Sequence, residues 1–268
     1  MVQKNMGTRL TDDEPWIEVI DQPEDVVKGF DCCCKAFGEQ IHDAIWIAMN
    51  PEWNLDGPEG RPRAAARMVE QWRRITYDSR GYANTIFLKA TLPDATEKGQ
   101  RIFAGLAIWV QLSMVEGRGE RPSDDLRSDL DLNALYPGNY TEQRYLCQVY
   151  RSFAKRRVEV VKEKAVSQSP ALMHLQLCVV DPSYQRMGIA SRLVQWGLDE
   201  AQRRGGLEAI TEASSMGRHA YARLGFHDEG GLDIEYKVDN EFLSRDRPPN
   251  LFMRTGTSIS DKGNTVIE

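Results

Sequence analysis

Residues 172–203 constrain the fold more than any other stretch of the chain. LMHLQLCVV (172–180) alternates as a strand does. DPSYQRMGIA (181–190) then turns into an amphipathic run, SRLVQWGLDEAQRR, that stops at Gly205 and Gly206, the residue type expected just beyond a helix. LEAITEA (207–213) reads as the next strand. Strand, helix, strand in this order makes the class α/β.

The turn between the first strand and the helix, Gln185-Arg186-Met187-Gly188-Ile189-Ala190, has its own chemistry. A helix start carries unpaired N–H groups and the positive end of the helix dipole. It is a ready site for a pyrophosphate. Gly188 removes a side chain where an anion approaches the backbone, and Ala190 is small for the same reason. Arg186 and Arg192 add positive charge. No GK[ST] follows and only one glycine is present, so neither the P-loop nor the dinucleotide fingerprint applies.

Elsewhere, WIEVI (16–20) alternates as a short strand, and Pro23 opens a helix through about Phe37. Residues 51–63 read as a loop and 64–78 as a helix. NTIFLKAT (84–91) and RIFAGLAIWVQL (101–112) form a hairpin. Residues 115–140 hold six acids against three bases and read as a loop or lid. A long amphipathic helix follows over 142–167, with seven bases against three acids. Its bland reading is a solvated basic face, its alternative a site for an acidic ligand or partner. Residues 214–226 contain a short helix, and DIEYKV (233–238) and NLFMRT (250–255) supply two more strands.

Composition excludes several classes. The chain has 268 residues and a net charge of −6, from 34 basic and 40 acidic residues. Nucleic-acid binding rests on phosphate neutralisation, which disfavours so acidic a chain. No apolar run approaches the roughly 18 residues that span a bilayer, and residues 1–14 lack the apolar centre of a signal peptide. A cytoplasmic location, with no membrane partner, is expected. Five cysteines (32, 33, 34, 147, 178), an odd number without CxxC spacing, argue against a disulfide framework. Four histidines without HxxxH or HExxH pairing give no indication of a metal.

Gln185–Ala190 matches [QR]xxGx[GA], VVDPSYQ (179–185) matches VxPxYQ before it, and Tyr221–Phe226 matches YxxLGF after it. In these residues the chain resembles the GNAT superfamily of acyl-CoA-dependent N-acyltransferases. EASSMGRHAYARLGF (212–226) is most similar to a fungal-type variant. Ser214 departs from the asparagine of many members. The resemblance implies a single α/β domain over 15–255, with a mixed, mostly antiparallel, splayed sheet and flanking helices. It makes 115–170 an insertion between the third and fourth strands, with tails at 1–14 and 256–268.

The resemblance also implies the site. Acetyl-CoA is the acyl donor, its diphosphate held by the turn Gln185, Arg186, Met187, Gly188, Ile189, Ala190 and Ser191. The strand at Cys178, Val179 and Val180 splays to pair with pantetheine, and Ser214 and Tyr221 complete the donor contacts. Tyr221 is the candidate acid for the leaving thiolate. An alkylammonium must lose a proton before it attacks, since its pKa is about 10.4. Two candidate bases stand open: His174, placed by strand alternation on the face of 176, 178 and 180, and Glu212 on the next strand. A water relay is a third route. Cys178 is expected to pack rather than act as nucleophile. Trp46, Trp53, Trp72 and Trp109 are expected in the core, those near the first-to-second-helix loop being candidates to line an acceptor pocket. The expected function is acetyl transfer to a primary amine of a small molecule, which an acidic 115–140 lid would suit. A protein lysine or N-terminus is the alternative acceptor. A non-catalytic acyl-CoA-binding or interaction module is the alternative of another class.

Overall fold

The computed structural model describes residues 14–256. The tails expected at 1–14 and 256–268 therefore lie almost wholly outside the described residues. β1 (Trp16–Val19) leads into α1 (Pro23–Cys33). Pro23 occupies the first turn of α1, and Glu24 and Asp25 meet the positive end of its dipole. The helix winds on as π-helical turns over Cys34–Gln40, which extends it past Phe37. α2 (Ala44–Met49) is capped by Asp43, whose carboxylate accepts from the amides of Ile45 and Trp46. α3 spans Arg61–Arg73, earlier at both ends than 64–78, because Pro62 starts it.

β2 (Thr85–Pro93) and β3 (Arg101–Ser113) form the expected antiparallel hairpin. The connection to β4 carries α4 (Leu132–Leu135) and α5 (Tyr140–Lys164). β4 (Ala171–Val180), α6 (Ile189–Arg203), β5 (Glu208–Ala213) and α7 (Arg218–Arg223) follow. β6 (His227–Asp228) and β7 (Leu251–Arg254) end the described chain.

The alternation of DIEYKV is not a strand. In 233–238 the Ile234 amide donates to the Asn250 carbonyl (2.7 Å) and the Lys237 amide to Ser152 Oγ on α5 (2.9 Å). Those amides are used up on a loop and a helix, so no ladder forms. The edge strand is β6 instead.

Among the described residues seven strands run in the order β1-β2-β3-β4-β5-β7-β6. Every pairing is antiparallel except β4 with β5, which α6 joins by a crossover. This is a single mixed α/β domain with a GNAT-like fold. One sheet face packs on α6 and on Tyr221 of α7. The other packs on α1, α3 and α5. Among the described residues no helix is long and apolar enough to cross a membrane.

At the centre of the first face α6 crosses β3 at Gly197. A Cβ there would lie 2.0 Å from Trp109 Cε2, and Trp109 is fully buried. Gly197→Ala is therefore expected to cost about 1–3 kcal/mol through overpacking, read as a lower denaturation midpoint in urea. An unchanged midpoint would contradict this packing.

Candidate active site

The sheet opens between β4 and β5. The two strands pair only at Leu172–His174 against Glu208–Ile210. The Thr211 hydroxyl still reaches the Leu175 carbonyl (3.1 Å). Beyond it, Cys178, Val179 and Val180 keep their partners on β3 and have no ladder partner on the β5 side. The result is a V with its vertex at His174 and its mouth at the C-terminal end of β4.

The turn expected to hold phosphate sits at that mouth. Asp181 closes it by accepting from the Ser183 amide (3.0 Å). Gly188 is the N-cap of α6 at φ 77°, with open space where a Cβ would stand. Its glycine is required first by this left-handed conformation. Arg186 also adopts positive φ, 64°. Met187 is exposed, and Ile189 is buried against the sheet while its amide opens the helix. The amides of Ile189, Ala190 and Ser191 belong to the first turn, where no intrahelical acceptor exists. Arg192 pairs with Glu14 (3.0 Å).

The π-helical segment grips the turn from the other side. Lys35 Nζ meets Asp181 Oδ2 at 2.7 Å, and the side-chain amides of Gln40 and Gln185 exchange hydrogen bonds (2.8 and 3.1 Å). Burial raises the Asp181 carboxyl, but the Lys35 and Ser183 bonds outweigh it and hold it below the usual range. Gln185 Nε2 also donates to the Val180 carbonyl (3.2 Å).

Tyr221 and Cys178 meet on the α6 face, where the tyrosine hydroxyl and the thiol hydrogen-bond. Burial pushes the Cys178 thiol up to about 12 and the Tyr221 hydroxyl well above its usual value. At neutral pH Cys178 is a thiol, a poor nucleophile. Gly217 makes room for the Tyr221 ring: a Cβ would lie 2.7 Å from its Cε2. Ser214 accepts from the Gly217 amide with its hydroxyl (3.2 Å), which occupies it in the turn before α7.

His174 does not share that face. The β3–β4 register shifts, so that Trp109 faces Leu175 and Ile108 faces Leu177, leaving Gln176 as an extra residue. This β-bulge inverts the alternation. Before it, Leu172 packs on the α1/α5 face and Met173 on the α6 face. After it, Leu177 and Val179 take the α1/α5 face, and Cys178 and Val180 the α6 face. The expectation that 174, 176, 178 and 180 share one face is thereby corrected. His174 points toward Arg157 on α5, on the opposite face of β4 from Cys178.

There His174 and Glu212 come together, and α5 brings a third member that the sequence motifs do not single out. His174 Nε2 lies 2.8 Å from Glu212 Oε2. Arg157 NH1 lies 3.1 Å from the same oxygen and 2.9 Å from His174 Nε2. Their side chains are 3%, 2% and 8% exposed. Burial, then Arg157, lowers the His174 pKa despite Glu212. Burial raises Glu212, but Arg157 and His174 overcome it, so the carboxyl lies below its usual range. The arrangement is a neutral imidazole beside a carboxylate. Glu212 Oε1 is buried without a partner. Arg157 falls on the apolar stripe of α5, between Phe153 and Val161, and that position was the available signal.

The 115–140 segment adjoins this side. Burial, Asp129, Glu212 and Asp124 raise the Tyr150 hydroxyl, against Arg157. Three other acids of the segment are engaged: Asp125 with Arg127, Glu120 with Thr85, and Asp131 in capping α4. Trp46 packs with Phe30, Phe37 and Trp53 in a core cluster, ring centroids 5.9–6.0 Å apart. Trp72 is partly buried against the core of the α1/α5 face. Among the described residues no group of three or more His, Cys, Asp or Glu is placed to hold a metal.

Residues 152–226, from α5 through α7, match the acetyltransferase (GNAT) family model. No curated protein matches the sequence. Among solved structures, a mosquito arylalkylamine N-acetyltransferase-like 5b is 14% identical (TM-score 0.53), covering 90% of this chain and 98% of its own. Drosophila melanogaster polyamine N-acetyltransferase, which forms N-acetylagmatine, is 12% identical (TM-score 0.53), covering 90% and 97%. Arylalkylamine N-acetyltransferase 2 of Aedes aegypti is 15% identical (TM-score 0.52), covering 90% and 97%. At such identities the likeness is one of fold.

Proposed function

We propose, from the acetyltransferase-family segment at 152–226 and the fold around it, that this chain transfers acetyl from acetyl-CoA to a primary amine of a small molecule. The open V between β4 and β5, with the amide-bearing start of α6 at its mouth, carries this reading. The donor fits these residues. The free first-turn amides and open Gly188 suit a diphosphate, and the unpaired edge of Cys178–Val180 suits the amides of pantetheine.

The V gives the thioester access to both faces. On the α6 face Tyr221 would donate to the leaving sulfur. Its raised pKa makes it a hydrogen-bond donor to developing negative charge more than a free proton source. On the α5 face the His174–Glu212 pair would receive the proton of the ammonium. The amine then attacks the carbonyl directly, and the C–S bond breaks. A protonated Cys178 argues against a covalent acyl-enzyme. Asp124, Asp129 and Glu212 around Tyr150 favour a cationic acceptor. The arylalkylamine and polyamine acetyltransferases that share the fold are consistent with it.

The test is acetyl-CoA turnover against a panel of arylalkylamines, polyamines and lysine peptides, read by mass spectrometry. Acetylated small amines and free CoA are expected. Calorimetric acetyl-CoA binding with no turnover on any acceptor would indicate a binding module. Gly188→Val should weaken acetyl-CoA binding about tenfold, since a branched residue in the left-handed region costs about 1–2 kcal/mol. Undiminished affinity would remove the turn from the donor site.

A further inference from the structure

We infer that the π-helical winding over Cys34–Gln40 belongs to the donor site: it turns Lys35 and Gln40, five residues apart, to one side, from which they hold Asp181 and Gln185 in the turn that leads into α6, and both so act as positioning residues for acetyl-CoA. The inference rests on the reading of that turn as the diphosphate site.

The winding makes the double contact possible. In an α-helix residues five apart point about 140° away from each other. In π winding the backbone hydrogen bond itself joins residues five apart, which stacks them along one side. Such a bond is present here, from the Ile41 amide to the Ala36 carbonyl (3.1 Å). Trp53 sets the rotation of the segment. Its ring packs so closely on Gly38 that a Cβ there would lie 2.4 Å from Cζ3, and its carbonyl accepts from the Cys34 thiol (3.8 Å). Cys34, Ala36 and Gly38 are buried, while Lys35 and Gln40 remain exposed and reach the turn.

The turn needs holding. Arg186 sits at φ 64°, a left-handed conformation that a residue with a side chain adopts at a cost and keeps only where its surroundings are fixed. The residues before it are fixed. Asp181 meets the Lys35 ammonium (2.7 Å) while it accepts from the Ser183 amide (3.0 Å). Gln185, next to Arg186, exchanges two bonds with Gln40 (2.8 and 3.1 Å) and donates to the Val180 carbonyl (3.2 Å). Lys35 has a second effect: it neutralises a carboxylate that is 8% exposed and stands beside an anion site. Bonds made by exposed side chains add little to global stability, so the consequence is local. With either side chain removed, the turn spends part of its time outside the binding shape, and apparent affinity falls by that fraction.

The test is calorimetric titration of the full-length protein with acetyl-CoA, together with amide exchange followed by NMR. Affinity should fall about tenfold in K35M and about threefold in Q40A, and K35R should recover most of the first loss. With an acceptor amine, KM for acetyl-CoA should rise by the same factors while kcat at saturating donor holds, because bound donor selects the competent turn. A general loss of folded protein would instead lower kcat and leave KM. Without ligand, the Ser183, Tyr184 and Arg192 amides should exchange faster in both variants, and those of the β2–β3 hairpin at the wild-type rate. Moving the carboxamide one place back tests the winding. E39Q/Q40A should bind as weakly as Q40A, because residue 39 stacks on Lys35 only in an α-helix. Rescue there, wild-type affinity in K35M or Q40A, or wild-type exchange in both would overturn the inference. Should K35M fail to fold, the exposed Gln40 still decides through Q40A and E39Q/Q40A. If the wild type takes up no acetyl-CoA, the donor reading fails, while the exchange rates still decide whether Lys35 and Gln40 hold the turn.

Discussion

Tyr221→Phe is expected to lower kcat for amine acetylation by about 10²–10³-fold, with acetyl-CoA affinity changed only a few fold. The ring fills the same space against Gly217 and Phe226, so the fold should stand. The lost hydroxyl has one partner in the free protein, the Cys178 thiol. Neutral partners of this kind contribute only about 1 kcal/mol to stability. A preorganised donor aimed at a leaving sulfur is worth more, because the charge it meets exists only in the transition state. Steady-state rates together with calorimetry separate the two effects. Turnover equal to wild type across pH would remove Tyr221 from the chemistry.

Glu212→Ala is expected to cost about 3–5 kcal/mol of stability, because it strands a buried guanidinium. Glu212→Gln should cost less, since it keeps an acceptor for Arg157 and His174. Urea denaturation at neutral pH measures both, and an alanine cost below about 1 kcal/mol would show that the charges are solvated. The same cluster sets a pH dependence. His174 has its folded pKa below the ordinary value of 6.5. Between those two values the unfolded chain binds a proton that the native chain refuses, so the native state loses stability as pH falls below 6.5. Glu212, also lowered, adds its own loss below 4.5. His174→Gln should flatten the first of these slopes.

The strand–turn–helix unit at 171–203 was legible because each of its signals has a local cause. Alternation marks β4, Gly188 needs positive φ, and Gly205 and Gly206 follow a helix end. The two candidate bases also meet as residues of adjacent strands. What local signals could not carry was interaction at a distance. DIEYKV alternates, yet the amides of its Lys237 and of the following Asp239 find side chains on α5, some 85 and 91 positions away in sequence. α2 is six residues long and rests on one aspartate cap, too little for periodicity to show. Arg157 read as one more base on a basic helix, although its spacing from Phe153 and Val161 put it on the apolar side. Gln176 offers no local mark of a bulge, since its extra place exists only relative to β3.

That single surplus residue lets β4 absorb the loss of one position without exchanging its two sides. Deleting Gln176 would restore even spacing across the strand and leave Leu177 and Cys178 on their present sides, with the same partners on β3 and the thiol still beside Tyr221. A strand shortened by that one codon would be regular and would still present Cys178 to α6 and Leu177 to α1 and α5, as would one in which Leu177 were exchanged for valine or isoleucine.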